Sequence, residues 1–296
     1  MLINSRTVQR QLASIPPWLR DPFSLDGPLA DAISAGLRGE HAALVRARRA
    51  YLPNFIVIGA PKAATTTLTS ILPRHPQIFI SHPKEPKFFG RRYYKGWKWY
   101  GRMFYPGRGK PLRGEASTMY SSPHKNYQYS AALMHRYLPH TKIIYMVRDP
   151  LARMASQWRH MKGWNPSTCD FEDIADAPDA QQKLLIGCSL YHANLQRFRA
   201  FFPDSQIHCI SFEDLLADPE PTLAALLQFL GARPRARSLL DRGRLPRFNE
   251  AGDKGRAMVP APRWTDDLRS RILRRVGPDA RRMLAYMGKP ASHWSL

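Results

Sequence analysis

The stretch Phe55-Ile56-Val57-Ile58 is a continuous apolar run, the signature of a strand buried on both faces. It runs into Gly59-Ala60-Pro61-Lys62-Ala63-Ala64, and then into Thr65-Thr66-Thr67 at the start of a helical pattern reaching Leu72. A buried strand, a small-residue turn with one lysine and a hydroxyl-rich helix start form an anion site by construction. The small side chains of Gly59, Ala60, Ala63 and Ala64 let backbone N–H groups approach phosphate oxygens. The first amides of the helix point the same way, Lys62 adds a full charge, and Thr65, Thr66 and Thr67 add hydroxyl donors. The nucleotide-binding pattern G-x-x-x-x-G-K-[ST] is absent, because the lysine stands early in the turn and an alanine replaces the second glycine.

Further strands are expected at Lys142–Val147 and Gln206–Ser211, with shorter ones at Gln77–Ile80 and Arg113–Ala116. Helical patterns follow at Leu151–Lys162, as one long amphipathic helix over Gln181–Phe201, and through most of the chain after Pro219. Strands alternating with helices predict an α/β fold, a P-loop-like parallel sheet flanked by helices on both faces. Residues 1–50 read as a turn-rich and helical appendage, with a helical pattern from Leu29 to Ala50, and residues 51–296 as the main domain.

A second cationic clamp is expected where Val147 leads into Arg148-Asp149-Pro150. Arg148 leaves the end of a buried strand, where α/β sheets place ligand groups, and Pro150 suits a first helical position. Ser156 lies in the helix that follows. The loop Asp253-Lys254-Gly255-Arg256 adds a third basic segment.

The balance of 45 Lys and Arg against 23 Asp and Glu, a formal +22, draws anionic partners without choosing among them. A phosphorylated or sulfated small molecule, an acidic glycan and peripheral contact with an anionic membrane all fit. Nucleic acid fits the charge, but no helix-turn-helix, RNP-like or zinc-finger signature accompanies it. Cys169, Cys188 and Cys209 have no C-x-x-C spacing, which argues against a zinc site or a disulfide framework. No segment approaches the roughly 20 apolar residues of a membrane span, and the first residues lack a secretory signal's apolar core. The expected location is cytoplasmic.

The turn Ala60-Pro61-Lys62-Ala63-Ala64-Thr65-Thr66-Thr67-Leu68 resembles the 5'-phosphosulfate loop of the sulfotransferase superfamily, with Ala-Ala where that family more often has a glycine. Arg148-Asp149-Pro150 with Ser156 resembles its 3'-phosphate motif, and Lys254-Gly255-Arg256 its late basic loop. The resemblance spans about Asn54 to the C-terminus. It implies 3'-phosphoadenosine 5'-phosphosulfate (PAPS) as co-substrate, 3'-phosphoadenosine 5'-phosphate (PAP) as product, and no metal. Lys62, Ala63, Ala64, Thr65, Thr66 and Thr67 would hold the 5' side, and Arg148, Ser156, Lys254, Gly255 and Arg256 the 3'-phosphate.

Transfer to a hydroxyl also needs a base for its proton. Ser81-His82-Pro83-Lys84-Glu85-Pro86-Lys87-Phe88-Phe89 resembles the E-x-x-F-F segment of carbohydrate sulfotransferases related to the heparan sulfate enzymes, placing Glu85 on the catalytic glutamate. His82 is the alternative base. Gly96–Tyr100 and Arg113–Tyr120 extend the likeness, although Ala116 stands where a lysine is expected. The resemblance implies a glycan or glycolipid acceptor, with Trp97, Trp99, Tyr100 and Trp158 available either to stack on sugars or to fill the core. A nucleotide-dependent small-molecule kinase and a sulfotransferase for phenolic or tyrosine acceptors are the competing readings.

Overall fold

The computed structural model describes residues 27–246 and 259–296. Strands β1 (Phe55–Gly59), β2 (Ile78–Ile80), β3 (Leu112–Ala116), β4 (Lys142–Val147) and β5 (Ile207–Ser211) form one sheet in the order β2-β3-β1-β4-β5. Every pairing is parallel. Helices α1 (Gly27–Arg38) and α2 (Ala42–Arg46) precede β1, and α3 (Thr65–Ile71) follows it. Helix α4 (Gly96–Arg102) lies between β2 and β3, and α5 (Ser130–Tyr137) between β3 and β4. Helices α6 (Pro150–Trp164), α7 (Asp179–Leu185) and α8 (Tyr191–Arg199) separate β4 from β5. After β5 come α9 (Phe212–Ala217), α10 (Pro219–Leu230) and α11 (Asp266–Tyr286). This is the α/β architecture expected from the alternation of apolar runs and helical patterns.

β1 is central and buried at every position, which is why its sequence is apolar throughout instead of alternating. Its Phe55 pairs in register with Gly114 of β3 and Lys142 of β4. A Cβ at Gly114 would lie 2.1 Å from the Phe55 ring, so that ring occupies the space a side chain would need. From β1 the chain moves towards β2 at one edge, and from β4 it moves towards β5 at the other. The carboxyl ends of β1 and β4 are therefore adjacent at the point where the winding reverses, the place where open α/β sheets bind ligands.

Two expected helices are broken. The pattern from Leu29 to Ala50 divides into α1 and α2 at Gly39, whose φ is 90°. There the Arg136 guanidinium fills the space beside the glycine and donates to the Arg38 carbonyl at 2.8 Å. Ile33 of α1 and Val45 of α2 are buried in the same apolar cluster as β1. The helix expected over Gln181–Phe201 is instead α7, a single turn at Gly187–Ser189, and α8. The break exposes carbonyls that fully buried Arg153 binds, donating to Leu184 at 3.0 Å, to Leu185 and to Ser189 Oγ at 2.6 Å. An amphipathic pattern does not reveal this interruption, because the residue that binds its open carbonyls lies on another helix.

A second apolar cluster joins α6, α7 and α11 through Leu151, Met154, Trp158, Leu185, Ile272 and Val276. Among the described residues no helix is long and apolar enough to cross a membrane.

Candidate active site

The turn after β1 takes the shape its sequence makes costly. Lys62 (φ 70°) and Ala64 (φ 59°, ψ 21°) both lie in the left-handed region, where a β-carbon is unfavourable. Ala64 stands immediately before α3 and has no side chain to cap its first amides. Thr65 is buried, while Thr66 and Thr67 are half-exposed at the helix start.

Arg148, at the end of β4, reaches this turn. Its Nη1 lies 3.4 Å from the Lys62 carbonyl oxygen, and its guanidinium sits over the Phe212 ring at 4.4 Å. Burial lowers its pKa from the ordinary arginine value, while the Glu213 carboxylate opposes that shift. Its Nε is buried and makes no hydrogen bond with any described residue. A buried arginine donor without an acceptor is costly. The phosphate of a nucleotide would supply one, so the donor set fits an anionic ligand with groups at both strand ends.

The backbone around Arg148 is tied down on several sides. Asp149 caps α6 through the Ala152 amide at 2.9 Å and accepts the Ser295 amide on its other oxygen at 2.7 Å. The Asp149 amide donates to Glu213 at 2.9 Å, and Glu213 also accepts from Trp294 Nε1 at 3.0 Å and Ser211 Oγ at 2.6 Å. Arg153 extends one N–H towards the Pro61 carbonyl at 3.5 Å, linking α6 to the turn after β1.

Glu85 is brought to the same edge of the sheet. Its amide donates to the Ala116 carbonyl at the end of β3 at 3.0 Å. Its Oε1 accepts from the Thr118 hydroxyl at 2.8 Å and the Thr118 amide at 3.3 Å. The other oxygen, Oε2, is buried and has no hydrogen bond with any described residue. Lys84 Nζ lies 3.9 Å from Oε1, and Lys87 Nζ lies 4.0 Å from Oε2. Lys84 also donates to Thr66 Oγ1 at 2.8 Å and Thr65 Oγ1 at 3.3 Å. One ammonium thus joins the carboxylate to the hydroxyls at the start of α3.

Lys62, Ala63, Ala64, Thr65, Thr66, Thr67, Arg148 and Glu85 are all grouped around the carboxyl ends of β1, β3 and β4. Ser156 is half-buried about 9 Å along α6 from Pro150 at the ordinary helical rise. No hydrogen bond with a described residue joins Ser156 to Arg148. Lys254, Gly255 and Arg256 lie outside the described residues. His82 is exposed and makes no hydrogen bond with a described residue. Trp97, Tyr100 and Trp158 are buried in the core, leaving Trp99 partly exposed beneath the Lys95 ammonium.

The sequence marks Lys84 only as a cation flanking Glu85 and gives no role to Thr118, Arg153 or Glu213. For Lys84 the only local signal is its place beside Glu85, and nothing in the sequence couples it to threonines 18 and 19 positions earlier. Arg153 and Glu213 bind backbone groups as well as the side chains of Ser189, Ser211 and Trp294, and backbone partners leave no mark on residue type.

Residues 52–249 match the family model described as the sulfotransferase domain. The chain is 29% identical over 209 residues to a bifunctional heparan sulfate N-deacetylase/N-sulfotransferase of Drosophila melanogaster, covering 62% of this chain and 20% of that protein. It is 30% identical over 188 residues to heparan sulfate glucosamine 3-O-sulfotransferase 3B1 of Mus musculus, covering 62% of this chain and 47% of that one. It thus spans less than half the length of either relative. The crystal structure of a sulfotransferase from Alicyclobacillus acidocaldarius shares the fold, with a TM-score of 0.66 at 24% identity over 82% of this chain and 99% of the other. A sheet whose two central strand ends hold a lysine-bearing turn and an arginine, matched across the greater part of its length, makes this chain a member of the sulfotransferase family.

Proposed function

We propose that this sulfotransferase uses PAPS as donor and a hydroxyl of a carbohydrate, free or in a glycoconjugate, as acceptor. The observation that carries the reading is the position of Lys84, between Thr65 and Thr66 at the phosphate turn and the Glu85 carboxylate. It sets a proton acceptor one lysine away from the place where a 5'-phosphosulfate would bind. The heparan sulfate relatives support the choice of a glycan.

PAPS supplies the sulfuryl group. The new bond joins sulfur to the acceptor oxygen, and the bond from sulfur to the 5'-phosphate oxygen breaks. Glu85 takes the hydroxyl proton on Oε2, the oxygen left open while Thr118 holds Oε1. Lys62 and Lys84 stabilise the charge that develops on the departing phosphate. Arg148 holds the 3'-phosphate, with Ser156 and the loop Lys254–Arg256 as its further partners. Tyr127 lies within electrostatic reach of Glu85 and of the Arg91 and Arg92 guanidiniums, which places two cations near the base. Those two arginines suit an acidic glycan.

The test is transfer from radiolabelled PAPS to a panel of glycosaminoglycans, neutral glycans, glycolipids and phenols. Wild-type protein is expected to label an acidic glycan, and Glu85→Gln to lose turnover while binding PAP normally by calorimetry. Turnover by Glu85→Gln would move the base elsewhere, and labelling of phenols alone would replace the acceptor class.

A further inference from the structure

Glu115 has no place in the reaction as described, yet it is fully buried within electrostatic reach of Glu85. Its Oε1 accepts from the Tyr100 hydroxyl at 2.9 Å and the Tyr120 hydroxyl at 2.8 Å, and its Oε2 from Ser117 Oγ at 2.8 Å. No lysine or arginine joins this set among the described hydrogen bonds and ion pairs. Three hydroxyls hold the carboxylate, and all three belong to fully buried side chains.

Two of those hydroxyls are also acceptors for the segment that carries Glu85. Ser117 Oγ accepts the Lys87 amide at 2.9 Å, and the Tyr120 hydroxyl accepts the Phe89 amide at 3.2 Å. With the Glu85 amide on the Ala116 carbonyl, alternate N–H groups at 85, 87 and 89 are all bound by the strand end and turn at 116–120. The segment needs this support, because Glu85 (φ 63°) and Lys87 (φ 53°) both occupy the left-handed region.

An ionised carboxylate is acceptor only. Ser117 and Tyr120 must then turn their hydrogens towards Glu115, leaving their oxygens open to the amides of Lys87 and Phe89. Glu115 thereby sets the polarity of two hydroxyls, and these fix the backbone on either side of the base. A proton on Glu115 displaces one of the three donations, and the displaced hydroxyl hydrogen must find another acceptor in a buried site.

We propose that Glu115 is a positioning residue for the transfer reaction, holding the Glu85 segment in its strained conformation through Ser117 and Tyr120 and releasing it on protonation. The inference rests on the reading of Glu85 as the base. The groups facing Glu115 are Tyr100 from α4, Ser117 and Tyr120 from the turn after β3, and the Glu85 carboxylate, while β1 sets Ile56 beside it in register. Burial raises its pKa to about 7, against the pull of the three hydroxyls, so ionisation falls within an accessible pH range.

The test uses full-length protein, radiolabelled PAPS and a polysaccharide of alternating N-acetylglucosamine and glucuronic acid, with hydrogen exchange as a readout that needs no acceptor. Glu115→Gln and Ser117→Ala are each expected to lower kcat about tenfold, with KM for PAPS within about twofold of wild type. Ser117→Thr, which keeps the hydroxyl, restores the rate. The wild-type kcat profile falls as pH drops through about 7, and Glu115→Gln loses that limb. After correction for intrinsic rates, the amides of Lys87 and Phe89 exchange at least about tenfold faster in both variants and in wild type below that pH. Unchanged exchange at Lys87 and Phe89 in Ser117→Ala and Glu115→Gln overturns the proposal. So does a slowed Glu115→Gln that keeps the wild-type limb, since that marks a structural role only. Active Glu85→Gln protein instead removes the base assignment, which separates the two failures.

Discussion

The guanidinium of Arg148 lies 3.4 Å from the backbone carbonyl of Lys62, so the ends of β4 and β1 close on one another. These residues are 86 positions apart, and the contact brings both phosphate-binding candidates together at the carboxyl ends of β1 and β4. Arg148 keeps a buried Nε without a hydrogen-bond partner among the described residues, as a donor held for a ligand would be.

Arg148→Ala is therefore expected to weaken PAP binding by about 10- to 100-fold, the range for losing charged hydrogen bonds. Binding of adenosine 5'-phosphosulfate, which lacks the 3'-phosphate, should change by less than about threefold. Arg148→Lys should recover only part of the loss, because an ammonium lacks the guanidinium fork. Calorimetry with both nucleotides checks this. Equal losses for the two ligands would detach Arg148 from the 3'-phosphate.

Ala64→Gly should stabilise the protein. The left-handed conformation at φ 59° costs alanine about 1–2 kcal/mol, and the greater freedom of glycine in the unfolded chain returns part of that. A net gain of up to about 1 kcal/mol, or a rise in Tm of about 2 °C, is expected by calorimetric melting. Ala64→Val should lower Tm, since branching at Cβ makes the same conformation worse.

Asp279 makes stability depend on pH. Buried on α11, it accepts the amides of His192 and Ala193 at 3.0 and 2.8 Å, supporting the start of α8. Burial raises its pKa from 3.8 to about 6, with those two amides pulling the other way. Its folded value lies above its unfolded value, so its favourable contribution is complete below about pH 4 and disappears as pH rises through about 6. The swing is on the order of 3 kcal/mol. Urea unfolding of wild type and Asp279→Asn across pH 4–7 should show a shallower fall for the variant. Parallel curves would refute the assignment.

Trp294 joins Glu213, whose other oxygen holds the Asp149 amide beside Arg148. Trp294→Phe keeps most of the packing but removes the indole N–H, so about 1 kcal/mol of support is lost. PAP affinity should fall about fivefold, with Tm lowered by only about 2 °C. Trp294→Ala also opens a cavity and should cost about 3–5 kcal/mol of stability. Normal PAP affinity in Trp294→Phe would show that the link does not reach Arg148.

Much of the architecture was legible because burial on both faces writes itself into residue type. β1 and β4 are continuous apolar runs, and the observed β4 begins and ends at the residues expected. The lysine-bearing turn and Arg148 after β4 could be picked out locally, since each sits at an element boundary. Glu85, in the loop after β2, was singled out by the two phenylalanines that follow it. The two helix breaks fall at Gly39 and Gly187, and what local pattern does not show is that Arg136 and Arg153 come from elsewhere in the chain to bind the carbonyls there. The same holds for aromatic residues, whose types suit sugar stacking and core equally. Packing around Phe88 assigned Trp97 and Tyr100 to the interior.

By itself, then, the order of residues determined a parallel sheet flanked by helices and the chemical character of its strand ends, because hydrophobic period and turn composition are local properties. The strand order came only with the structure. Tertiary structure alone decided which groups meet: Arg148 with the turn at Lys62, Lys84 with Thr65 and Thr66, and buried Glu115 with the segment that carries Glu85. Hydrogen bonds and charge act through distance in space. That distance is set only when the strands lie side by side.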